Sequence, residues 1–302
     1  MMSLRRRGFC LAGLSLPSLA LAQSSQSSDL QQRCAALQER VGGRIGVFAL
    51  HTGSRQQFAF QAEQRFAMCS TFKLLLAGAV LAKVDSGRLD LNQRVRFGPR
   101  DLVPHAPVTG ELLKAGSVSA SLSVGELCAA MLEVSDNPAA NLLLPLVGGP
   151  AGLTRVLREL GDQVTRLDRI EPALNSNLPD DPRDTTTAAS FGELMERLLC
   201  SDYLSGELRQ QLLVWMNASD TGLQRLRAGA PQDWPAGDKT GSGSNGAVND
   251  VAIFFPPKQA PILMAVFMSG STQSVAALSS VHAELATWVL NHFQAQNPGL
   301  TG

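Results

Sequence analysis

The sequence predicts an α+β fold: an antiparallel sheet flanked by helices and built from both chain ends, with an inserted all-helical domain. Three observations carry that prediction. After its leader, the chain shows a helical pattern followed by a hairpin pattern. A long middle stretch is dominated by helical spacing. The end returns to two apolar strand-like runs and a closing helix. The division that follows places the sheet domain in 23–68 and 217–302 and the helical domain in 69–216, with a functional cleft between them.

Asp29 to Val41 is amphipathic at helical spacing and stops at Gly42-Gly43. Arg44 to Leu50 and Gln57 to Phe60 read as strands, with turn chemistry between them in Thr52-Gly53-Ser54. Ser70 to Val84 is almost wholly apolar after Lys73, the composition of a buried helix. Ser123-Val124-Gly125-Glu126 is a capping box that opens a helix running to about Val134. Asn137-Pro138 starts the next helix, since proline suits a first turn, and Gly148-Gly149-Pro150 is expected to end it. Leu153 to Leu160 is a further helix. Arg166 to Thr185 breaks the pattern with three prolines, several Asp and Asn, and little periodicity. Long irregular loops inside compact domains tend to serve function. Thr187 to Cys200 and Ser205 to Met216 return to helix. Val251 to Phe255 and Ile262 to Met268 read as adjacent strands joined by a proline-rich turn, and Val275 to Phe293 as the closing helix.

With 302 residues, 44% of them hydrophobic, the chain can bury a substantial core. Its 26 basic and 26 acidic residues cancel and form no stripe or tail, which argues against a nucleic-acid partner. Residues 1–22 read as an export signal: Arg5-Arg6-Arg7, an apolar run from Cys10 to Leu21, and small residues at Ala20-Leu21-Ala22. Arg6-Arg7 with Phe9 fits a twin-arginine signal, and an ordinary secretory signal would share the basic start. The apolar run is too short for a stable membrane anchor. Cys34, Cys69, Cys128 and Cys200 are widely scattered, and buried free thiols are expected. His51, His105, His282 and His292 form no short-spaced ligand cluster, which disfavours a zinc hydrolase. No metal or organic cofactor is expected.

Three short motifs carry chemistry. In Ser70-Thr71-Phe72-Lys73, residues three apart share a helix face, so the lysine amine can assist the serine hydroxyl as a nucleophile. Ser135-Asp136-Asn137 sits between two helices, where short polar side chains cap and project; Asn137 alone fits a plain N-cap. Lys239-Thr240-Gly241 lies just before the final strands. There a cation and a hydroxyl can hold a carboxylate, and the glycine lets a ligand approach the backbone.

Together and in this order, the three motifs resemble those of the penicillin-recognising serine enzymes. A fourth, Glu171-Pro172-Ala173-Leu174-Asn175 in the long loop, resembles the deacylating loop of the class A serine β-lactamases. Asp184 matches the family residue that pairs with the loop arginine, here Arg169. The similarity runs from about Asp29 to Phe293 and implies the β-lactamase/transpeptidase-like fold, with export to the bacterial periplasm.

The resemblance implies the following roles. Ser70 is the nucleophile and Lys73 its neighbouring base, with either Lys73 or Glu171 taking the Ser70 proton. Glu171, with Asn175, activates the hydrolytic water. Ser135 passes a proton to the departing lactam nitrogen. Asn137 bonds the substrate side-chain amide, and Lys239 and Thr240 anchor the substrate carboxylate. Gly241 lets that ligand close, and the N–H groups of Ser70 and Ser242 form the oxyanion hole. Arg225 matches an arginine that reinforces the anchor from a neighbouring helix, or is a surface arginine. His105 stands where relatives carry an aromatic gate, or is an exposed loop histidine. The implied partner is a small-molecule β-lactam met by a monomer.

The chain departs from the pattern in places. Cys69 is present, but Gly243 occupies the position of the cysteine that bridges it in some carbapenem-hydrolysing relatives. Gly110 to Leu122 is longer than in common relatives and reads as a surface loop. Asn249-Asp250 match a structural position at a strand start. A D-alanyl-D-alanine peptidase (a penicillin-binding protein) shares the first three motifs, and a non-catalytic β-lactam sensor is a further alternative. Glu171 with Asn175 argues against the first, and the lack of a membrane link against both.

Overall fold

The two ends of the chain meet in one sheet. β1 (Arg44–His51) and β2 (Gln57–Phe60) form the expected hairpin, with Val47 opposite Phe60. β8 (Val248–Phe254) and β9 (Ile262–Ser269) form the expected pair. β1 and β9 run side by side, from Arg44 opposite Ser269 to His51 opposite Ile262. The computed structural model describes residues 18–114 and 117–296, with backbone alone for 18–27. Most of the expected export signal, residues 1–17, therefore lies outside the described residues.

A strand that was not expected completes the sheet. β7 (Ala236–Ser242) pairs with β8 along its whole length and gives the antiparallel order β2-β1-β9-β8-β7. Its sequence, Ala-Gly-Asp-Lys-Thr-Gly-Ser, has the glycines and charges of a turn. Pairing at the sheet edge overrides that weak local preference. Thus Lys239-Thr240-Gly241 lies inside a strand, not ahead of the strands.

Both faces of the sheet are covered. β9 alternates Leu263, Ala265 and Phe267 toward one core with Met264, Val266 and Met268 toward the other. A strand buried on both faces reads as an unbroken apolar run. On one face pack α1 (Ser18–Val41) and α9 (Val275–Gln296), through Leu30, Leu37, Leu285 and Val289. On the other lies the helical body around α2 (Phe72–Asp85), which is buried from Phe72 to Leu81.

Two small two-stranded sheets tie that body together. β3 (Arg65–Ala67) pairs with β6 (Thr185–Thr187), and β4 (Arg94–Phe97) with β5 (Ala120–Ser123). The 110–122 stretch is only partly loop: it overlaps α3 (Thr109–Leu112) and β5. α4 (Val124–Glu133) opens on the expected capping box, with Ser123 Oγ accepting from Glu126 N at 3.1 Å. α5 (Asn137–Leu143) is shorter than expected and ends in a tight turn over Leu144–Val147. Gly148, left-handed at φ 94°, closes that turn, while Gly149-Pro150 opens α6 (Gly149–Glu159). The triplet therefore ends one helix and starts the next, with proline in the first turn. α7 (Ala188–Cys200) and α8 (Gly206–Asn217) follow as expected. Cys34, Cys69, Cys128 and Cys200 are all unpaired; the first three are buried, and Cys200 is exposed. No single described helix is long and apolar enough to cross a membrane.

Candidate active site

Ser70 sits in a tight turn over Cys69–Thr71, where β3 passes into α2. The single helix expected from Ser70 is thus split, but Lys73 still faces inward from the first turn of α2 and is fully buried. The turn is braced from the sheet. Asn249 Nδ2 donates to the carbonyls of Ala67 at 2.9 Å and Met68 at 3.1 Å. Gly241 lies against it: a Cβ there would stand 2.7 Å from the Met68 carbonyl oxygen. Only a glycine lets the edge strand approach the Ser70 turn so closely.

Several polar groups converge behind Ser70. Its hydroxyl donates to Glu171 Oε1 at 3.2 Å. The same oxygen lies 3.3 Å from Lys73 Nζ, and both side chains are fully buried. Lys73 Nζ also donates to the Ser135 carbonyl at 2.7 Å, Ser135 Oγ at 3.2 Å and Asn137 Oδ1 at 2.6 Å. Lys239 Nζ reaches Ser135 Oγ from the opposite side at 3.1 Å. The Ser135 oxygen therefore accepts from two ammonium groups, which leaves its own proton free to point into the cleft. Ser135 holds this place with a left-handed backbone, φ 61°.

The long loop carries Glu171 to this point. Arg169 Nε bonds Asp184 Oδ2 at 2.5 Å, the pairing expected between them. Asp184 Oδ1 also accepts from the Asp168 and Arg169 N–H groups, closing the loop base. Asn175 Nδ2 donates to Glu171 Oε2 at 2.5 Å, while its buried Oδ1 has no hydrogen-bond partner among the described residues. The Glu171–Pro172 peptide is cis.

A cleft of about 290 Å3 opens over Ser70, Ser135, Asn137 and Asn175. Its other wall is Thr240, Gly241, Ser242 and Arg225, with His105 also lining it. Lys73, Glu171 and Lys239 are buried beside it. All twelve residues singled out in the sequence are thus brought to one place. Arg225 is no surface arginine. It is buried, and donates to the Gly241 carbonyl at 3.0 Å, the Asn249 carbonyl at 2.6 Å and Ser242 Oγ at 2.8 Å. It stands just before a short turn over Leu226–Gly229, not on a helix. His105 is exposed; its Nε2 lies 3.0 Å from the Val134 carbonyl, and its own carbonyl accepts from Asn137 N at 2.9 Å.

Comparison with known proteins settles the family. Residues 29–293 match the model of the Beta-lactamase enzyme family. The chain is 42% identical to the carbapenem-hydrolyzing β-lactamase KPC of Klebsiella oxytoca, over 88% of this chain and 89% of that one. It is 38% identical to β-lactamase CTX-M-97 of Escherichia coli, over 89% and 91%. A β-lactamase structure from Xanthomonas campestris superposes with a TM-score of 0.85 at 45% identity, over 89% of this chain and 98% of that one. The chain belongs to the class A serine β-lactamases. The peptidase alternative finds less support, since the relatives named here are β-lactamases.

The electrostatics of this β-lactamase follow from burial. Desolvation lowers the Lys73 pKa, and the Glu171 carboxylate opposes the shift. Lys239 is pushed down to about 7, first by burial and then by the Lys73 charge. Burial also lowers the Arg225 pKa.

Further residues that the motifs did not announce hold the site in place. Asn141 clamps the Glu171 backbone from α5: its Oδ1 accepts Glu171 N at 3.0 Å and its Nδ2 donates to Glu171 O at 2.9 Å. Asp136, not Asn137, is the α5 N-cap, accepting from Ala139 N at 2.9 Å. It also accepts from Val108 N, Thr109 N and Thr109 Oγ1, fixing the segment that carries His105. An Asp before Asn-Pro was a readable capping signal. Thr221 lines the cleft, with its Oγ1 2.7 Å from Thr240 Oγ1. Asn177 donates to the carbonyls of Ser244 and Asn245, and Asn245 returns bonds to Ser176 and Asn177.

Proposed function

We propose that Ser70 opens the β-lactam amide bond of penicillins and cephalosporins and that Glu171 discharges the resulting ester, conferring resistance to these drugs. One observation carries the reading: a buried carboxylate 3.2 Å from the Ser70 hydroxyl, held by Asn175 at 2.5 Å. Ser70 Oγ attacks the lactam carbonyl, and its proton passes to Glu171 Oε1, the acceptor it already bonds. Lys73 Nζ stands 3.3 Å from the same oxygen as the second base of the pair. The developing oxyanion lies between the N–H groups of Ser70 and Ser242, a pair worth about 3 kcal/mol of transition-state stabilisation. The C–N bond breaks, Ser135 gives its proton to the departing nitrogen, and the proton taken from Ser70 replaces it through Lys73, which adjoins both Glu171 and Ser135 Oγ and leaves Glu171 a carboxylate again. The acyl-enzyme is then hydrolysed by a water held between Glu171 and the unpartnered Asn175 Oδ1. Glu171 takes the water proton and passes it to Ser70 Oγ as the ester breaks.

The other side chains of the cleft bind. Lys239 and Thr240 hold the substrate carboxylate, with Gly241 allowing the close approach. Arg225 steadies this end through Ser242 Oγ. Asn137 bonds the side-chain amide, and His105 lines the wall beside it. The working unit is an exported periplasmic monomer whose two domains, 23–68 with 217–302 and 69–216, close on the substrate from either side.

Glu171→Gln separates the half-reactions, since Lys73 remains beside Ser70 to take its proton while no carboxylate is left to activate water. With a penicillin, mass spectrometry is expected to find one equivalent of stable acyl-enzyme, with steady-state turnover down by about 10³-fold. Ser70→Ala is expected to form no adduct. Rapid turnover by Glu171→Gln, or an adduct on Ser70→Ala, would overturn the assignment.

A further inference from the structure

A pocket of about 520 Å3, larger than the catalytic cleft, opens between the long loop and the start of the sheet domain. Residues 177–183 form one wall; Arg44, Gln64 and Arg65 form another. Four guanidiniums line it, and two are already neutralised. Arg169 pairs with Asp184 at 2.5 Å, and Arg183 with Asp181 at 2.9 Å. Arg44 and Arg65 have no carboxylate partner among the described residues. Arg44 Nη1 donates to Gln64 Oε1 and to the Arg65 carbonyl, both at 3.3 Å, and its guanidinium lies over the Phe66 ring. Arg65 Nη1 donates to the Val164 carbonyl and Thr185 Oγ1, both at 3.0 Å. Each bonds neutral oxygens through a single nitrogen. The Nε and Nη2 groups take no part in these bonds. Asp180 is the one carboxylate of the lining outside those ion pairs.

We propose that this pocket binds a small multivalent anion, a phosphate or a polycarboxylate, between Arg44 and Arg65. Guanidinium forks match carboxylate and phosphate oxygens in pairs, and two uncompensated cations in one concavity favour a ligand with more than one negative charge. The volume falls within the range of small-molecule sites. The walls come from separate parts of the chain, so the occupant ties residues 177–183 to the hairpin end of the sheet domain. Those residues follow Glu171 and Asn175 directly. The floor residue Thr185 pairs with Ala67, three residues before Ser70. Binding therefore stiffens the loop from the side away from the substrate.

Calorimetric titration of the protein with inorganic phosphate and with citrate, at constant ionic strength, tests this. Saturable one-to-one binding of at least one anion is expected. Binding of phosphate alone assigns a phosphate-type ligand, and binding of citrate alone a polycarboxylate. Arg44→Ser/Arg65→Ser is expected to weaken binding by about tenfold or more and Asp180→Asn to tighten it, charged hydrogen bonds being the stronger kind. Both variants keep the anion-free kcat for a penicillin. In saturating ligand, amide exchange across 177–183 is expected to slow. No saturable binding of either anion, or binding that the double variant retains unchanged, overturns the proposal. This outcome does not depend on the role given to Glu171.

Discussion

Lys239 is a cation held in place by neutral oxygens. Its Nζ donates to Ser135 Oγ and to the Thr240 carbonyl, and burial with the nearby Lys73 charge pushes its pKa down to about 7. Below that pH the ammonium is charged and can hold a substrate carboxylate; above it the charge is lost from the free enzyme. A bound carboxylate favours the charged form and raises the pKa again. The alkaline limb of kcat/KM, which reports the free enzyme, is therefore expected near pH 7, and the limb of kcat at higher pH. Lys239→Arg keeps its charge throughout this range and is expected to move the kcat/KM limb upward by about one unit or more. Coincident limbs in both proteins would show that Lys239 does not titrate there. The residues proposed to meet substrate were legible because the proposed chemistry dictates their identity: a nucleophile, an amine three residues on, a carboxylate and an amide. Asn141 and Asn177 were illegible for the opposite reason. Their amides bond backbone groups about 30 and 68 residues away along the chain, a pairing that no local spacing encodes.

At the scale of elements, the long loop and the β7–β8 turn are one device. Ser244 N donates to the Asn175 carbonyl at 2.9 Å, and Asn177 and Asn245 exchange bonds across the same junction. Gly243 lies under the contact: a Cβ there would stand 2.6 Å from the Asn175 carbonyl oxygen and 2.7 Å from Cys69 Sγ. Gly243→Ala must then push Asn175, and with it Glu171, off its aim at Ser70. Misplacement by an ångström can cost about a hundredfold in rate. Deacylation, which in the proposed mechanism needs both residues to hold the water, is expected to fall about tenfold or more relative to acylation. Stopped-flow with a chromogenic cephalosporin would show this as accumulated acyl-enzyme; equal loss in both steps would mean that the junction does not aim Glu171. The large elements were predictable, because apolar spacing and caps mark α2, α4, β1 and β9. The small pairs β3–β6 and β4–β5 were not, having three or four residues each. β7 was hidden by its own site residues: the glycines and charges that serve the ligand erase the pattern of a strand. The loop was visible as an irregularity, but its seat on the β7–β8 turn was not, since Gly243 signals only that a side chain is missing.

For the whole molecule, the sheet divides two environments. The helical body holds Lys73 and Glu171, while the face under α9 buries a second polar set: Arg225, Asp238, Asp250 and His282. Arg225 links the two, with its guanidinium reaching Ser242 at the cleft. His282 Nδ1 bonds the Leu278 carbonyl at 2.8 Å, and burial followed by the Arg225 charge lowers its pKa to about 3. In the unfolded chain the same imidazole titrates near 6.5. Between those values the unfolded chain holds the extra proton, so stability falls as pH drops from about 6.5 through about 3. Asp238 and Asp250 act the other way. Burial raises both, so the folded state takes up their protons first and gains stability as pH falls. The wild-type profile therefore mixes opposed contributions, and only a difference isolates the histidine. His282→Gln keeps a side-chain N–H for Leu278 but does not titrate. Measured by urea unfolding, the variant's stability relative to wild type is expected to improve steadily from pH 6.5 to 3, by an amount of the order of a few kcal/mol. If the difference stays constant with pH, the buried imidazole is taking its proton in the folded state, and the layer beneath the cleft is open to water.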